Sequence, residues 1–163
     1  MSLHWFALTV KPHFEDSVSS ALGVKGYETF LPKYRVRNRW SDRIKELHQP
    51  LFPGYSFCRF DPSRRVPILN TPGVVSVVGF GAKATPVDEG ELNAVRALLD
   101  SGLPVSHWPF LREGQRIRIT HGPLEGVEGF FVRHNHDCRL VVSISLLGRS
   151  VAAEIESDWI KPV

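Results

Sequence analysis

The sequence predicts an α+β domain, an antiparallel sheet flanked by helices, followed by a small all-β barrel. Three observations carry this. Strand and helix patterns alternate as far as residue 102, only strand patterns recur from residue 112, and residues 103–110 between them hold two prolines and no period. The expected division is therefore a first domain over 1–102, a linker over 103–111 and a barrel over 112–163. A chain of 163 residues with 42% hydrophobic content can bury a core in each part.

The elements follow in order. Trp5-Phe6-Ala7-Leu8-Thr9-Val10 reads as a buried strand that Pro12 ends. Phe14, Val18, Ala21 and Leu22 recur at helical spacing, so a helix is expected over 14–24, closed by Gly23 or Gly26. Tyr27-Glu28-Thr29-Phe30-Leu31 starts a strand, and the charged residues 34–49, punctuated by Trp40-Ser41-Asp42, read as an exposed hairpin or loop. After the turn-rich Pro50-Leu51-Phe52-Pro53-Gly54, residues 55–60 alternate, with Tyr55 and Phe57 on one face and Ser56, Cys58 and Phe60 on the other. Asp61 caps a short helix expected at 62–70, with Pro62 at its first position. Val74-Val75-Ser76-Val77-Val78-Gly79-Phe80 is a β-branched strand, and Asp88 caps a helix whose core face is Leu92, Val95, Leu98 and Leu99. Strands are then expected at 115–120, 127–133, 139–146 and 150–155, with Gly148-Arg149 turning between the last two.

Several function classes find no motif. There is no GxSxG elbow, no HExxH and no DxDxDG loop, and Gly79-Phe80-Gly81-Ala82-Lys83-Ala84 lacks the spacing and hydroxyl of a phosphate-binding loop. No enzyme activity and no cofactor are expected. His134, His136 and Cys138 alternate about Asn135 and Asp137 and read as a polar hairpin tip rather than metal ligands. Cys58 and Cys138 read as isolated thiols. No window approaches a membrane span and no signal-like pattern opens the chain, so no membrane partner and a cytoplasmic location are expected.

Charge and motifs point to gene expression. Residues 33–65 hold nine Lys and Arg against Asp42, Glu46 and Asp61 alone, a local potential suited to phosphates. Ile117 and Ile119 alternate with Arg116, Arg118 and Thr120, Gly122-Pro123 breaks that strand, Gly126 and Gly129 follow at spacing three, and Phe130-Phe131-Val132 begins a second run. This pattern resembles the KOW motif, a strand–loop–strand unit of small barrels in transcription and ribosomal proteins. The opening Trp5-Phe6 and Lys11-Pro12, Phe52-Pro53-Gly54-Tyr55 before an aromatic strand, Thr71-Pro72-Gly73-Val74 continuing to Gly81, and Val142-Ser143-Ile144-Ser145-Leu146-Leu147-Gly148-Arg149 together resemble the NusG family of transcription elongation factors over nearly the whole chain. Gln49 to Tyr55 with Phe57, Phe60-Asp61-Pro62 and Val78-Gly79-Phe80-Gly81 are similar to its specialised RfaH-like paralogues, which act on selected operons.

The resemblance implies an elongation or antitermination factor that suppresses pausing by bridging RNA polymerase. Phe52, Pro53, Gly54, Tyr55 and Phe57 would meet the β′ clamp helices, and Arg64, Arg65 and Pro67, beside Val66, the β gate loop. Lys11 and His13 would approach the non-template DNA strand. Arg35, Arg37 and Arg39, which alternate and so share a face if they lie in one strand, are expected to track its phosphates. Pro12 and Pro72 depart from the paralogues, so no sequence preference carries over. Leu146, Leu147, Gly148 and Arg149 would dock the small-subunit ribosomal protein NusE or termination factor Rho. Residues 103–163 balance seven basic against seven acidic groups, which suits a protein partner better than nucleic acid. In the paralogues the barrel segment can refold into a helical hairpin. Here Val141, Val142, Ile144, Val151 and Ile155 favour strands. The alternative is a ribosome-associated, RNA-binding KOW protein with a structural role.

Overall fold

The computed structural model describes residues 2–40, 43–80, 83–109 and 114–163, with the side chains at 37–40, 43–46, 80 and 134 outside the description. The expected turn at Ser41-Asp42, the glycine-turn residues Gly81 and Ala82, and Arg112 at the head of the barrel pattern lie outside it too. In chain order the elements are β1 (His4–Val10), α1 (Glu15–Val24), β2 (Glu28–Phe30), β3 (Lys33–Trp40), β4 (Arg43–Pro50), β5 (Tyr55–Phe60), α2 (Val66–Leu69), β6 (Val74–Val77), β7 (Gly79–Phe80), β8 (Lys83–Ala84) and α3 (Glu89–Asp100). Six strands complete the chain: β9 (Val105–Trp108), β10 (Gln115–Ile119), β11 (Glu128–His134), β12 (Asp137–Ile144), β13 (Arg149–Ile155) and β14 (Ile160–Pro162). The α+β class holds. Among the described residues no helix is long and apolar enough to cross a membrane.

Chain contacts gather into two compact units: the segments to Leu31 with Phe52–Glu89, and Pro32–Leu51 with Gly90–Val163. In the first, β2, β5, β1 and β6 form an antiparallel sheet in that order. Alternate residues of β1 (Phe6, Leu8, Val10) and of β5 (Cys58, Phe60) share one face, where Val18 and Leu22 of α1 and Ile68 of α2 complete a core. Phe6 and Phe60 lie ring to ring at 4.7 Å. Two elements differ from the sequence expectation. The short helix at 62–70 is instead a 3-10 turn, Pro62–Arg64, followed by the single turn α2. Asp61 caps the first turn by accepting from the Ser63 amide at 3.0 Å, and Pro67, having no amide hydrogen to extend that turn, stands instead at the start of the second. The strand expected through Phe80 breaks at Val78, whose amide still donates to Ala7 of β1 while Gly79 leaves to pair with Ala84.

In the second unit, β14, β10, β11, β12, β13 and β9 form a six-stranded sheet, and β3 and β4 form a hairpin. Ile117, Ile119, Leu140, Val142, Val151, Ala153 and Ile155 are buried. A second cluster joins Trp108, Val141 and Ala152, with Phe130 and Val132 packed against it. Gly129 of β11 lies tight against β12: an added Cβ would stand 2.5 Å from the Val141 carbonyl. Residues 105–108, expected in the linker, are the strand β9. Pro104 and Pro109 bracket it rather than break it, because it lies at the sheet edge against β13 and seats Trp108 in the second cluster. β14 was not anticipated, since Ile160-Lys161-Pro162 is too short to show a period. β12 ends two residues before Leu146, and Ser145–Leu147 is a 3-10 turn capped by Gly148 at φ 62°. The described residues from 114 on contain strands and 3-10 turns, not a helical hairpin.

Candidate functional site

The Phe52-Pro53-Gly54-Tyr55 segment is a tight turn. Tyr55 donates its amide to the Phe52 carbonyl at 3.1 Å, Pro53 presets the second position, and Gly54 takes the third at φ 85°. This is the type II arrangement, in which glycine alone reaches the third position without strain. The Gly54 carbonyl accepts from Val10 at 2.9 Å, and its amide donates to the Glu15 carboxylate at 3.0 Å. Pro53 is exposed and Tyr55 half-buried. Phe52 and Phe57 are buried at 3% and 0% exposure, edge to face at 6.0 Å, with Phe30 beyond Phe57 at 6.1 Å. The turn therefore leaves Pro53 exposed and Gly54 and Tyr55 half-buried, while Phe52 and Phe57, expected as contacts, pack into the core beneath them.

Lys11 and His13 reach the same end of the sheet. Thr9 pairs with Tyr55, and just beyond, the Lys11 amide donates to Gly73 at 2.9 Å and its carbonyl accepts from Phe14 at 3.0 Å. His13 bends this loop at φ 67°, and both Lys11 and His13 are exposed. Arg64, Arg65 and Pro67 follow the other end of β5 and are exposed as well. Val66 and Leu69, at 63% and 40% exposure, give that surface an apolar component, and Lys25 braces it by donating to the Pro67 carbonyl at 3.1 Å. The two hydrogen bonds from Ser63 hold the Asp61 carboxyl below its ordinary range.

In the hairpin, Arg35, Arg37 and Arg39 occupy alternate positions of β3 opposite His48, Glu46 and Ile44. Arg35 and His48 are exposed, and the side chains of Arg37 and Arg39 lie outside the described part. After β12, Leu147 is buried, Leu146 half-buried, and Gly148 and Arg149 exposed. The two leucines sit on a 3-10 turn, so it is the turn, not strand alternation, that separates their environments. Ser145, beside them, gives its amide (3.1 Å) and hydroxyl (2.5 Å) to Glu91 of α3. Among the described residues no three His, Cys, Asp or Glu gather as a metal ion requires. Sequence reasoning placed Val66 beside Arg64, Arg65 and Pro67 but missed Glu15, Lys25 and Leu69. Of these only the apolar Leu69 carried a local signal.

The comparisons with known proteins agree among themselves. Residues 3–96 match the family model described as "Transcription termination factor nusG". The chain is 27% identical over 139 residues to the transcription termination/antitermination protein NusG of Lactococcus lactis, covering 82% of this chain and 74% of that protein. It is 25% identical to the protein of the same name from Borreliella burgdorferi, with both chains covered in full. Its fold is similar to a solved structure titled "Domain interaction in Thermotoga maritima NusG", at a TM-score of 0.60, 19% identity, and coverage of 100% of this chain and 98% of that one.

Proposed function

The chain belongs to the NusG family, and from that premise we propose that it is an elongation or antitermination factor that bridges RNA polymerase. Its role is in transcription, and it works by binding rather than by chemistry of its own. The carrying observation is the type II turn at residues 52–55, which offers Pro53 and Tyr55 on a rigid aromatic footing. An aromatic anchor held this way loses little freedom on binding and suits a groove between two helices such as the β′ clamp. Arg64, Arg65 and Pro67, with the exposed Val66 and Leu69, form the contact proposed for the β gate loop. A factor that binds both holds the clamp in its closed state by differential affinity. Lys11 and His13, with Arg35, Arg37 and Arg39 of the hairpin, are proposed to follow the non-template strand.

The proposed functional division runs along the chain: 1–102 for polymerase, 103–111 as the connection, and 112–163 as a KOW barrel that takes NusE or Rho on Leu146, Leu147, Gly148 and Arg149. The barrel reading draws support from the six-stranded order and the close β11–β12 approach at Gly129. An operon-specific, RfaH-like role belongs to the same proposal, carried by the Gln49-to-Tyr55 resemblance. A Tyr55→Ala variant tests the centre of the reading. It should keep its fold by circular dichroism and lose about thirtyfold in polymerase affinity, roughly 2 kcal/mol. The wild type should shorten pauses on a pausing template. Unchanged binding together with unchanged pause lifetimes would reject the proposal.

A further inference from the structure

We propose that Glu15 is a positioning residue for the docking turn: its buried carboxylate holds the Gly54 amide and so fixes where Pro53 and Tyr55 stand. The inference rests on the reading of that turn as the polymerase contact. A type II turn closes through the amide of its fourth residue, here Tyr55, and leaves the amide of its third without an internal partner. That amide is Gly54, and the acceptor it finds is a side chain 39 residues earlier, Glu15 Oε2 at 3.0 Å. The other two bonds, Tyr55 to Phe52 and Val10 to Gly54, follow from the turn and from its strand neighbour. Glu15 ties the turn to α1.

The helix alone does not explain this burial. Glu15 and Asp16 both lie in the first turn of α1, where negative charge offsets the helix dipole. Asp16 does so from an exposed position, whereas Glu15 is only 7% exposed. Removing a carboxylate from water is costly unless it is hydrogen-bonded. The structure spends that cost on a surface turn whose third residue has no side chain of its own, and beyond its chain neighbours nothing lies within 4 Å of where a Cβ would be. Without Glu15, Gly54 would regain its backbone freedom and Tyr55 would lose a fixed starting point.

Amide exchange at Gly54, measured by NMR on the full-length protein, and affinity for an assembled RNA polymerase elongation complex test this together. Glu15→Gln keeps the length and an acceptor oxygen, and should retain Gly54 protection with affinity within about twofold of wild type. Glu15→Asp keeps the charge but falls one methylene short. It and Glu15→Ala should speed Gly54 exchange and weaken binding about tenfold, with exchange at Phe6, Leu8 and Cys58 unchanged. Equal Gly54 exchange in wild type and Glu15→Ala overturns the inference whether or not the protein binds polymerase. Faster exchange with undiminished affinity, while Tyr55→Ala does weaken binding, overturns the positioning role but leaves the docking turn standing. Undiminished affinity in Tyr55→Ala removes the docking reading and the inference with it. If Glu15→Ala does not fold, the Gln and Asp variants decide, and equal behaviour of the two overturns the inference.

Discussion

At the scale of single residues, burial separates the two thiols. Cys58 is fully enclosed in β5, and burial pushes its pKa up to about 12. It holds almost no thiolate at neutral pH and should resist a disulfide reagent in the native protein. Cys138 is half-buried near the β11–β12 turn. One thiol should therefore react natively and two in denaturant, and native labelling of Cys58 at the rate of a free thiol would contradict its burial. The sequence identified two isolated thiols but not which one is sealed. Alternation placed Ser56, Cys58 and Phe60 on one face of β5 and Phe57 on the other, and all four are buried. Period 2 tells the faces of a strand apart; whether both are covered depends on elements elsewhere in the chain. Glu15 and Phe14 repeat the lesson. Helical spacing put Phe14 on the core face, yet it is 42% exposed, while Glu15 is drawn in by a turn 39 residues away.

At the scale of elements, the β10–β11 pair concentrates two testable features. Arg118 donates to the Glu128 carboxylate across the strands at 2.7 Å and, with Arg116 at 3.6 Å, holds it below the ordinary glutamate range. A depressed folded pKa means that the unfolded chain takes up the proton first as pH falls. The stabilisation is therefore whole above the unfolded value, about 4.3, and is lost as pH falls through the folded one. Denaturant midpoints measured from neutral to acid pH should fall less steeply below pH 4 in Glu128→Gln, and an unchanged acid limb would show that the pair contributes nothing. In the same strand, Gly129→Ala would press a methyl against the Val141 carbonyl and should cost about 1–3 kcal/mol in a urea titration. Most elements were legible, because β1, α1, β5, α3 and β10 to β13 each carry a sustained period. β9 was not: Val105-Ser106-His107-Trp108 lies between prolines, and its strand exists because the free edge of β13 accepts it.

At the scale of the whole molecule, charge is arranged along the chain while contacts are not. Thirteen basic residues against ten acidic ones precede residue 103, and the rest of the chain is balanced. Yet the basic hairpin at 32–51 groups with residues 90–163, in part through the edge-on contact of Tyr34 with His107 at 5.0 Å. A linear reading finds the charge and misses the grouping, because contacts between distant segments leave no local period. Charge is nevertheless what the proposed nucleic-acid contact depends on. A single strand met by Lys11 and by Arg35, Arg37 and Arg39 displaces counterions at each phosphate, with a salt slope of about −0.7 per contact. Four contacts give a slope near −3 in log affinity against log salt, with little change between strand sequences, since phosphates carry no base information. Arg35→Glu should flatten the slope and weaken binding equally on unrelated sequences. The measurement belongs on an elongation complex with an exposed non-template strand, titrated from low to physiological salt. An affinity indifferent to salt would remove the phosphate-tracking role from the hairpin while leaving the turn at residues 52–55 to be judged by Tyr55→Ala alone.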